Sequence, residues 1–493
     1  MLNEKQYKFL CETCDELLQG ASTSIERTSN SWLHVLNEHP ASLEKYLSVF
    51  TKNRIRSSTI KSLIYILARG FTFSKKKPEW FSSKSEIKKT DVVFVSHLLN
   101  ESQAYKDSDF YFGDIANEIV SEGGSSMVIY HNHTGVDEGI LTSKFKLDSV
   151  ARVLFPSSLG WKKEFSLIGR LISDAKILRN KAKAADNLLC KNILESAANN
   201  SISTTSINAL RFYFQVKSIV KQAKPKAIVV TYEGHAWERM AFAAARSIDP
   251  KIRCIGYQHA ILFPRQHALK RMINKNLDPD IILTAGDVSR DILQKNELLK
   301  DIEIITVGTH RQKKISPNLT QELSNTQLKS CLVMPDGNLS ECLIIVNFSI
   351  RAALLLPKIK FIIRMHPLVK FSEIVKLDKN LKKLPENVNI SDASINKDFE
   401  RCYWAIYRGS GAIIHAVISG LRPIYISLQD ELNIDPLHNL TEWKYIVKQP
   451  SDLARYVNNN NNLNGDCFDI AQAYCKKYFM PVDKRLFIKK VLS

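Results

Sequence analysis

Hydrophobic positions along the chain follow two alternating patterns from about residue 91 onward. The run DVVFVSHLL (91–99) is rich in β-branched residues and predicts a buried strand, and SSMVIYHNH (125–133) predicts the next strand. Between them, residues 109–124 have the spacing of an amphipathic helix with a glycine stop. A strand, a helix and a strand at this spacing form a βαβ unit, which predicts a parallel sheet.

The same alternation continues to residue 427, interrupted by a long helical stretch at 161–221 and a polar segment at 313–329. Further strands are predicted at 227–234, 253–259, 281–286 and 302–308, and then at 330–337, 360–367, 404–410 and 423–427. The polar segment carries Pro, Asn and Ser and is typical of a linker. The pattern therefore predicts an α/β protein with two Rossmann-like doubly wound domains and a ligand cleft between them.

The domain boundaries follow from these changes in pattern. They are a helical extension (1–88), an N-terminal Rossmann-like domain with a helical insertion (89–312), a linker (313–329), a C-terminal Rossmann-like domain (330–450) and a helical tail (451–493). In the extension, SLIYILARGF (62–71) is too short to span a membrane and predicts a buried helix, with an interfacial anchor as the alternative.

The charge balance changes the picture of possible partners. The 69 Lys and Arg against 50 Asp and Glu give a formal net charge of +19, a field that attracts anions such as phosphorylated metabolites or an acidic membrane surface. Because no basic-aromatic repeat accompanies it, we do not expect a nucleic-acid partner. We expect a cytoplasmic protein, since no secretory signal is seen, with peripheral attachment to the inner face of the cytoplasmic membrane as an option.

The nine cysteines are mostly dispersed in apolar surroundings, as in reduced cytosolic proteins. Cys11 and Cys14 form one CxxC pair, but no second pair follows at the spacing of a zinc site. The tripeptide His131-Asn132-His133 resembles part of a metal nuclease motif, without a supporting cluster of ligands. No metal and no cofactor are therefore expected.

Polar side chains follow the predicted strands at their carboxyl ends, where ligands bind in open α/β sheets. They are His97, His131, His133, Glu233, His235, Glu238, His259, Asp336, Arg364, His366, Arg408 and Ser410. Each also has an ordinary structural role available, such as a helix cap for His97 or a backbone hydrogen bond for His259. As a set, they predict a functional site.

Two segments in the C-terminal domain indicate anion binding. In RMHP (364–367), Pro367 favours an extended backbone, so Arg364 and His366 point to one side of the strand and suit a phosphate or carboxylate. In RGSG (408–411), small residues open a helix, which by itself fits either a close-packing turn or an anion site; together with RMHP it favours an anion site that binds a nucleotide phosphate. Since no DxD-like carboxylate cluster is present, we expect the cationic groups to stabilise a departing phosphate without Mg²⁺.

Carboxylates lie on both predicted domains. Asp336, in PDG (335–337), is either a helix N-cap or a nucleophile or base, and Glu341 either compensates a helix dipole or takes part in catalysis. Glu233 and Glu238 flank Trp237, which could stack on a sugar or base. Asp336, Glu233 and Glu341 are the catalytic candidates.

The combination PDG, RMHP and RGSG resembles GT-B glycosyltransferases that use CMP-activated sugars, namely bacterial sialyltransferases and Kdo transferases. VVFVSHL, TYEGHAWER and IGYQHA are similar to segments of bacterial surface-carbohydrate biosynthesis proteins, which are themselves similar to retaining β-Kdo transferase modules of O-antigen, lipopolysaccharide and capsule assembly. The resemblance covers roughly residues 90–445. It leaves residues 1–88 as candidates for membrane docking or oligomerisation.

The resemblance implies transfer of a 2-keto sugar acid, Kdo or a nonulosonic acid such as pseudaminic or sialic acid, from CMP to a glycan or glycolipid acceptor. It implies that His366 and Ser410 contact the CMP phosphate and that Asp336 is the catalytic carboxylate. By their positions, Arg364, Pro367, Arg408 and Gly411 join the donor site, and His97, Glu238, Trp237 and His259 the acceptor site.

This chain has Pro335 where the family carries a second acid, which leaves the stereochemistry open, and we favour a retaining route. Alternatives are a UDP- or GDP-sugar transferase of the same fold, a CDP-polyol phosphotransferase, and a non-catalytic glycan- or nucleotide-binding scaffold.

Overall fold

The computed structural model of the 493-residue chain describes residues 2–20, 23–51, 81–82, 87–144, 150–311, 330–459 and 465–493. The apolar segment 62–71 lies outside the described residues, as does the linker predicted at 313–329. No helix within the described ranges is both long enough and apolar enough to span a membrane.

The N-terminal domain is built on an eight-stranded sheet with the order β1-β4-β3-β2-β5-β6-β7-β8. Its strands are β1 (Phe81–Ser82), β2 (Val92–Leu98), β3 (Ser126–Asn132), β4 (Ala151–Leu154), β5 (Ala227–Thr231), β6 (Arg253–Gln258), β7 (Ile281–Thr284) and β8 (Glu303–Thr306). All neighbours pair in parallel except β1 with β4. The inner strands are buried along their whole length, as their continuous apolar runs predict.

The C-terminal domain is built on a six-stranded parallel sheet with the order β11-β10-β9-β12-β13-β14. Its strands are β9 (Ser330–Met334), β10 (Lys360–Ile363), β11 (Val388–Ile390), β12 (Trp404–Tyr407), β13 (Arg422–Ile426) and β14 (Tyr445–Val447). Strands β9, β10 and β12 pack on the helices through a core that includes Val333, Phe361 and Ile406.

Helices connect the strands and cover both sheets. Before β5 they are α1 (Glu4–Gln19), α2 (Ile25–Ser29), α3 (Pro40–Leu43), α4 (Leu47–Phe50), α5 (Ile115–Ser121), α6 (Glu138–Thr142), α7 (Trp161–Lys183), α8 (Leu188–Asn200) and α9 (Thr204–Ala223). After β5 they are α10 (Ala236–Arg246), α11 (Asp287–Gln294), α12 (Leu339–Leu355), α13 (Phe371–Leu377), α14 (Ile395–Glu400), α15 (Ala412–Ile418), α16 (Pro450–Asn459), α17 (Gly465–Lys476) and α18 (Lys484–Leu492).

Two predicted helices differ in extent from the observed ones. The helix expected at 109–124 begins only at Ile115, because the Asp109 carboxylate accepts the N–H groups of Tyr111 and Phe112 and folds the preceding residues into a turn. The single helical stretch expected at 161–221 is three helices, since the side chains of Asn187 and Ser203 cap two new N-termini.

The two doubly wound sheets confirm the predicted GT-B architecture of two Rossmann-like domains. In each sheet the strand order reverses direction at one place, between β2 and β5 and between β9 and β12. Ligands of open α/β sheets bind outside the carboxyl ends of the strands at such topological switch points. The strand order therefore identifies one candidate site in each domain.

The chain termini join the N-terminal domain rather than forming separate units. Leu10 and Trp32 belong to the same hydrophobic core as Val93 and Ile228 of the first sheet. At the other end, Phe487 of α18 packs in a core with residues of β2 and β5. The N-terminal segment is therefore a structural part of the domain, and the final helix returns to it from the C-terminal domain.

Candidate active site

The carboxyl ends of the two sheets meet across the domain boundary. Ile261, just after β6, lies against Gly411, just after β12, so that a Cβ on this glycine would be 3.4 Å from Ile261 Cδ1. Beside this contact, His39 of the N-terminal segment bonds Asp336, which follows β9. The two switch points are thereby joined by the loop after β6 and by residues 36–39.

Asp336 is held by two hydrogen-bond donors. Its Oδ2 is 2.8 Å from His39 Nε2, and its Oδ1 accepts the N–H of Asn338 at 2.8 Å. The helix N-cap that the sequence offered as Asp336's alternative role is taken by Asn338, whose side chain accepts the N–H of Glu341. Asp336 is therefore free of the capping role, and one end of its carboxylate faces the domain boundary.

The contacts of His39 define its tautomer. Its Nδ1 accepts the N–H of Ala41 at 3.2 Å, at the start of α3, so the hydrogen is on Nε2 and is donated to Asp336. His39 was not among the sequence-predicted site residues, because it lies about 300 residues before Asp336 in a segment predicted to be a helical extension. The only local signal is Pro40, which favours the first turn of a helix and fixes where α3 begins.

Glycines permit this close approach. A Cβ at Gly409 would be 2.6 Å from His39 Nε2 and 3.5 Å from Asp336 Oδ2. A Cβ at Gly337 would be 3.1 Å from the His366 ring, which lies over the Asp336 turn. The close-packing reading of RGSG is thus correct for Gly409, while Ser410 is buried next to it and Pro367 is exposed.

Among the predicted donor-site residues, His366 lies next to the Asp336 turn, with its ring 3.1 Å from the position of a Cβ on Gly337. It accepts the N–H of Leu368 on Nδ1, which leaves Nε2–H as a free donor, and burial lowers its pKa below the ordinary value. It is therefore a neutral donor beside Asp336. Such a group can bind a phosphate oxygen by a hydrogen bond without contributing a charge.

Arg408 does not face a ligand, contrary to the sequence-based expectation. Its Nε donates to Glu341 at 2.7 Å, and its two terminal nitrogens donate to Glu431 at 2.9 and 2.7 Å and to the Ile426 carbonyl. All three charged groups are almost completely buried. Glu341 is consequently a structural partner of Arg408, and neither residue is available for catalysis or for phosphate binding.

Arg364 is also engaged. Its Nη1 donates to Asp398 at 2.8 Å and to the Ala393 carbonyl at 2.6 Å, and Asp398 is fully buried. Because the sequence shows charges but not their partners, Asp398 and Glu431 could not be recognised as the groups that pair with the two predicted phosphate ligands. The donor-side candidates that remain are His366, Ser410 and the Gly409–Gly411 backbone.

The N-terminal switch point opens into a cavity of about 750 Å³. Its polar and aromatic wall includes Trp32, Lys45, His97, Tyr111, His131, His133, Glu233, His235, Trp237, His259 and Arg311. A second cavity of about 530 Å³ shares His131, Asn132, His133 and Asn208 with it and extends to Pro156 and Arg211. The structure thus brings together the predicted acceptor candidates His97, Trp237 and His259.

The histidines of this cavity pack as a cluster of rings. The His97 ring lies 4.4 Å from that of Tyr111 and 5.9 Å from that of His259, and its Nδ1 is 3.1 Å from Thr231 Oγ1 across the switch point. Burial lowers the pKa of His97 well below its ordinary value and lowers that of His259 to about 3. These imidazoles are therefore uncharged at neutral pH.

His259 is buried, yet neither of its ring nitrogens has a hydrogen-bond partner within the part of the chain that the structure describes. Buried polar atoms in native proteins are nearly always satisfied, so this imidazole indicates a ligand or water position in the cavity. A neutral imidazole offers one donor and one acceptor, a combination that suits a sugar hydroxyl. The Arg311 guanidinium lies 5.5 Å from the centre of the Tyr111 ring and bonds the His259 carbonyl.

Glu233 and His235 form a charged pair beside these neutral rings. Loss of solvent would raise the pKa of Glu233, but the His235 hydrogen bond and the neighbouring imidazoles outweigh it and lower the pKa to about 2. Burial by itself would lower the pKa of His235, but Glu233 and Glu238 outweigh this effect and raise the pKa above its ordinary value. Glu233 is therefore a permanent carboxylate in the cavity.

Glu238 has a structural position instead of the predicted acceptor-binding one. Its carboxylate is fully buried and accepts the backbone N–H groups of Glu233, Gly234 and His235. Burial raises its pKa to about 7 against these donors. Glu238 therefore orients the loop that carries Glu233 and His235, and it contacts no ligand space directly.

Among the described residues, no three His, Cys, Asp or Glu side chains are grouped so that they could hold a metal ion. The clustered histidines pack as tilted and edge-on rings.

Comparison with known proteins gives matches at the level of three-dimensional structure. No protein-family model matches the sequence, and no curated protein matches it. A glycotransferase of kitacinnamycin is 12% identical with a TM-score of 0.46, over 82% of this chain and 100% of that one. MurG from Acinetobacter baumannii is 11% identical with a TM-score of 0.44, over 82% and 99%.

A putative UDP-N-acetylglucosamine 2-epimerase from Listeria monocytogenes is 11% identical with a TM-score of 0.45, over 82% and 96%. At these identities and TM-scores, the similarities do not indicate a substrate or an activity for this chain. The fold assignment rests on the strand order of the two sheets described above.

Proposed function

We propose that this protein is a GT-B glycosyltransferase that moves a 2-keto sugar acid, Kdo or a nonulosonic acid, from a CMP donor to a glycan acceptor. The observation that carries the proposal is the Asp336 carboxylate at the C-terminal switch point, oriented by His39 and by the Asn338 N–H. An oriented carboxylate at the carboxyl end of a strand can serve as a nucleophile toward an anomeric carbon. The resemblance of PDG, RMHP and RGSG to CMP-sugar transferases supplies the donor class.

The proposed reaction has two steps. Asp336 forms a bond to the anomeric carbon as the bond to the CMP phosphate oxygen breaks, and CMP leaves as an anion. The acceptor hydroxyl then attacks the same carbon, the bond to Asp336 breaks, and Glu233 takes the hydroxyl proton. Because the pKa of Glu233 is about 2, this proton moves late, when bond formation has already acidified the hydroxyl.

The donor side is expected to bind phosphate by hydrogen bonds from neutral groups. His366 Nε2–H and the Ser410 hydroxyl are the candidates, together with the backbone around Gly411. Arg364 and Arg408 are left out of this role because Asp398 holds the first guanidinium group and Glu341 and Glu431 hold the second. The departing CMP charge would then be stabilised by aligned donors in a site of low exposure.

The acceptor side is expected to be the histidine-lined cavity. Its size of about 750 Å³ suits one or two sugar rings. Trp237 and Tyr111 offer ring faces, and His259 offers an unpaired donor and acceptor. Glu233 lies on the same wall and can accept a hydrogen bond from the reacting hydroxyl.

The experiment that tests this function measures nucleotide release. Purified protein is incubated with CMP-Kdo, CMP-sialic acid, UDP-N-acetylglucosamine, a GDP-sugar and CDP-glycerol, with and without EDTA. We expect CMP release that EDTA does not affect and that Asp336→Asn abolishes. Intact-mass analysis with donor alone is expected to show one sugar residue covalently attached to the wild type and none to the variant.

Other results lead to the alternatives. Release of UDP or GDP would move the function to another donor class of the same fold, and turnover of CDP-glycerol would indicate a polyol phosphotransferase. Thermal stabilisation by a nucleotide without any turnover would indicate a binding scaffold. CMP release that Asp336→Asn leaves unchanged would contradict the assigned catalytic carboxylate.

A further inference from the structure

The outward face of α7 (Trp161–Lys183) exposes large apolar side chains. Trp161 is 53% exposed, Phe165 49% and Ile172 43%. Successive residues of a helix are about 100° apart, so positions 161, 165 and 172 lie within roughly 40° of one another on one face. The opposite face, with Leu167, Leu171 and Leu178, is buried against the domain.

The charges on α7 divide according to exposure. Its two acidic residues face inward, where Glu164 pairs with Arg211 and Asp174 pairs with Arg27. Its seven basic residues are Lys162, Lys163, Arg170, Lys176, Arg179, Lys181 and Lys183, and of these Arg170 pairs with Glu26. The solvent-facing charge that α7 itself contributes is therefore entirely positive.

The apolar and basic side chains form one continuous stripe. Positions 176, 179 and 183 continue the spacing of 161, 165 and 172, so the aromatic first half of the helix runs into Lys176, Arg179 and Lys183 on the same face. An exposed apolar side chain recurs at the start of α8, where Leu188 is 70% exposed. We call the six residues Trp161, Phe165, Ile172, Lys176, Arg179 and Lys183 the α7 stripe.

We propose that the α7 stripe docks this protein on the surface of an anionic membrane. Aromatic side chains are favourable at the boundary between headgroups and acyl chains, while lysines and arginines contact lipid phosphates. A face that carries cations but no exposed acid complements a negatively charged surface over its whole length. The net charge of +19 would add attraction at longer range.

The α7 stripe begins close to the wall of the 530 Å³ cavity in the N-terminal domain. α7 starts at Trp161, shortly after Phe155, Pro156 and Ser157, which line the 530 Å³ cavity. Glu164 on the first turn of α7 pairs with Arg211, another residue of the same cavity wall. Docking through the aromatic end would therefore bring this wall of the N-terminal domain close to the bilayer.

Vesicle cosedimentation of the full-length protein tests the proposal without any assay of turnover. The wild type is expected to bind vesicles of equimolar phosphatidylcholine and phosphatidylglycerol and not vesicles of phosphatidylcholine alone. Two variants target the stripe: Trp161→Ser with Phe165→Ser, and Lys176→Glu with Arg179→Glu and Lys183→Glu. Each is expected to weaken binding by about tenfold or more.

Matched controls change the same chemistry elsewhere on the surface. Leu354→Ser with Leu355→Ser removes two side chains that are 66% and 53% exposed on α12. Lys376→Glu with Lys379→Glu and Lys382→Glu reverses three exposed charges of the C-terminal domain. Both controls are expected to retain most of the binding, with the charge control losing no more than a few-fold.

The outcomes decide the proposal. Loss of binding in the stripe variants, with binding retained in both controls, supports it. Absence of wild-type binding to anionic vesicles overturns it, as does an equal loss in the charge control, which would mean attraction by net charge alone. A stripe-dependent dimer in sedimentation velocity with no vesicle binding would assign the face to a second copy. If the serine variant misfolds by circular dichroism, the charge-reversed variant, which alters no buried residue, decides.

Discussion

The two switch points differ in the state of their polar groups. Between β2 and β5, most polar groups are imidazoles that burial keeps uncharged. Between β9 and β12, the charged groups are held in ion pairs. His97 and His259 line an open cavity, and among the described residues neither ring nitrogen of His259 has a hydrogen-bond partner, while Arg408 is enclosed by Glu341 and Glu431. A group that is buried and unpaired points to a ligand, and a group that is buried and paired points to structure.

This contrast changes the roles that we assign to the polar residues at the ends of the strands. The arginines, which the sequence favours as phosphate ligands, are held in ion pairs of the C-terminal domain. His259, which had an ordinary structural alternative, has no partner for its ring nitrogens among the described residues. The exception on the C-terminal side is Asp336, whose donors come from its own turn and from the N-terminal segment. The comparison predicts that catalysis depends on one carboxylate of the C-terminal side, and binding on the N-terminal cavity.

The largest expected effect is on turnover. Asp336→Asn is isosteric and should lower kcat for CMP release by about 10³-fold or more, because an amide cannot act as the nucleophile. Glu233→Gln should lose about 10–100-fold, since it affects only the acceptor proton. Steady-state rates of both variants measure this, with thermal midpoints as the control for folding. A larger loss in Glu233→Gln would reverse the assignment of the two sides.

The next effect is on stability. Arg408→Met leaves Glu341 and Glu431 as buried, uncompensated carboxylates and should lower the free energy of unfolding by about 3–5 kcal/mol. Arg364→Met, at a partly exposed pair whose Asp398 keeps Arg401, should cost less, about 1–2 kcal/mol. Urea unfolding measures both. A stable Arg408→Met protein that had lost only nucleotide affinity would restore Arg408 as a phosphate ligand.

A smaller effect is expected from the contact that joins the two sides. His39→Leu removes the Nε2–H donor to Asp336 and should reduce kcat by about 10-fold, with little change in KM, because it misorients the nucleophile. Gly409→Ala should act similarly, since its Cβ would displace the His39 ring. Glu12→Gln, on the exposed face of α1, is the matched control in the same segment. Unchanged kcat in both variants would leave the His39 contact with a structural role only.

The smallest expected effect concerns pH. The folded pKa of His259 is about 3, below its ordinary value near 6.5, so its contribution to stability is present above pH 6.5 and is lost as the pH falls toward 3. His259→Gln cannot be protonated and should lose about 1–2 kcal/mol less stability than the wild type between pH 7 and pH 5. Urea unfolding at these two pH values checks this. Identical losses in the two proteins would show that another group controls acid sensitivity.

Much of the fold was predictable because the periodicity of a strand or a helix depends only on residues that are close together in the sequence. The continuous apolar runs at 92–98 and 227–231 gave buried parallel strands, and their number and spacing predicted two doubly wound domains. Turn chemistry was harder to read. Side-chain hydrogen bonds of Asp109, Asn187 and Ser203 end or begin helices at places that periodicity does not show. The helices predicted at 109–124 and 161–221 are therefore longer than the observed ones.

The sequence predicts which residues lie near the site, but it does not predict which of them pair with one another. The sequence by itself determined which polar residues follow the strands, and therefore which of them could reach a switch point. Only the tertiary structure decided the order of the strands, and with it that Asp336 meets His39, that Arg408 is enclosed by Glu341 and Glu431, and that His259 stays unpaired. The physical reason is that a side chain's charge and availability depend on neighbours that are up to hundreds of residues away in the chain.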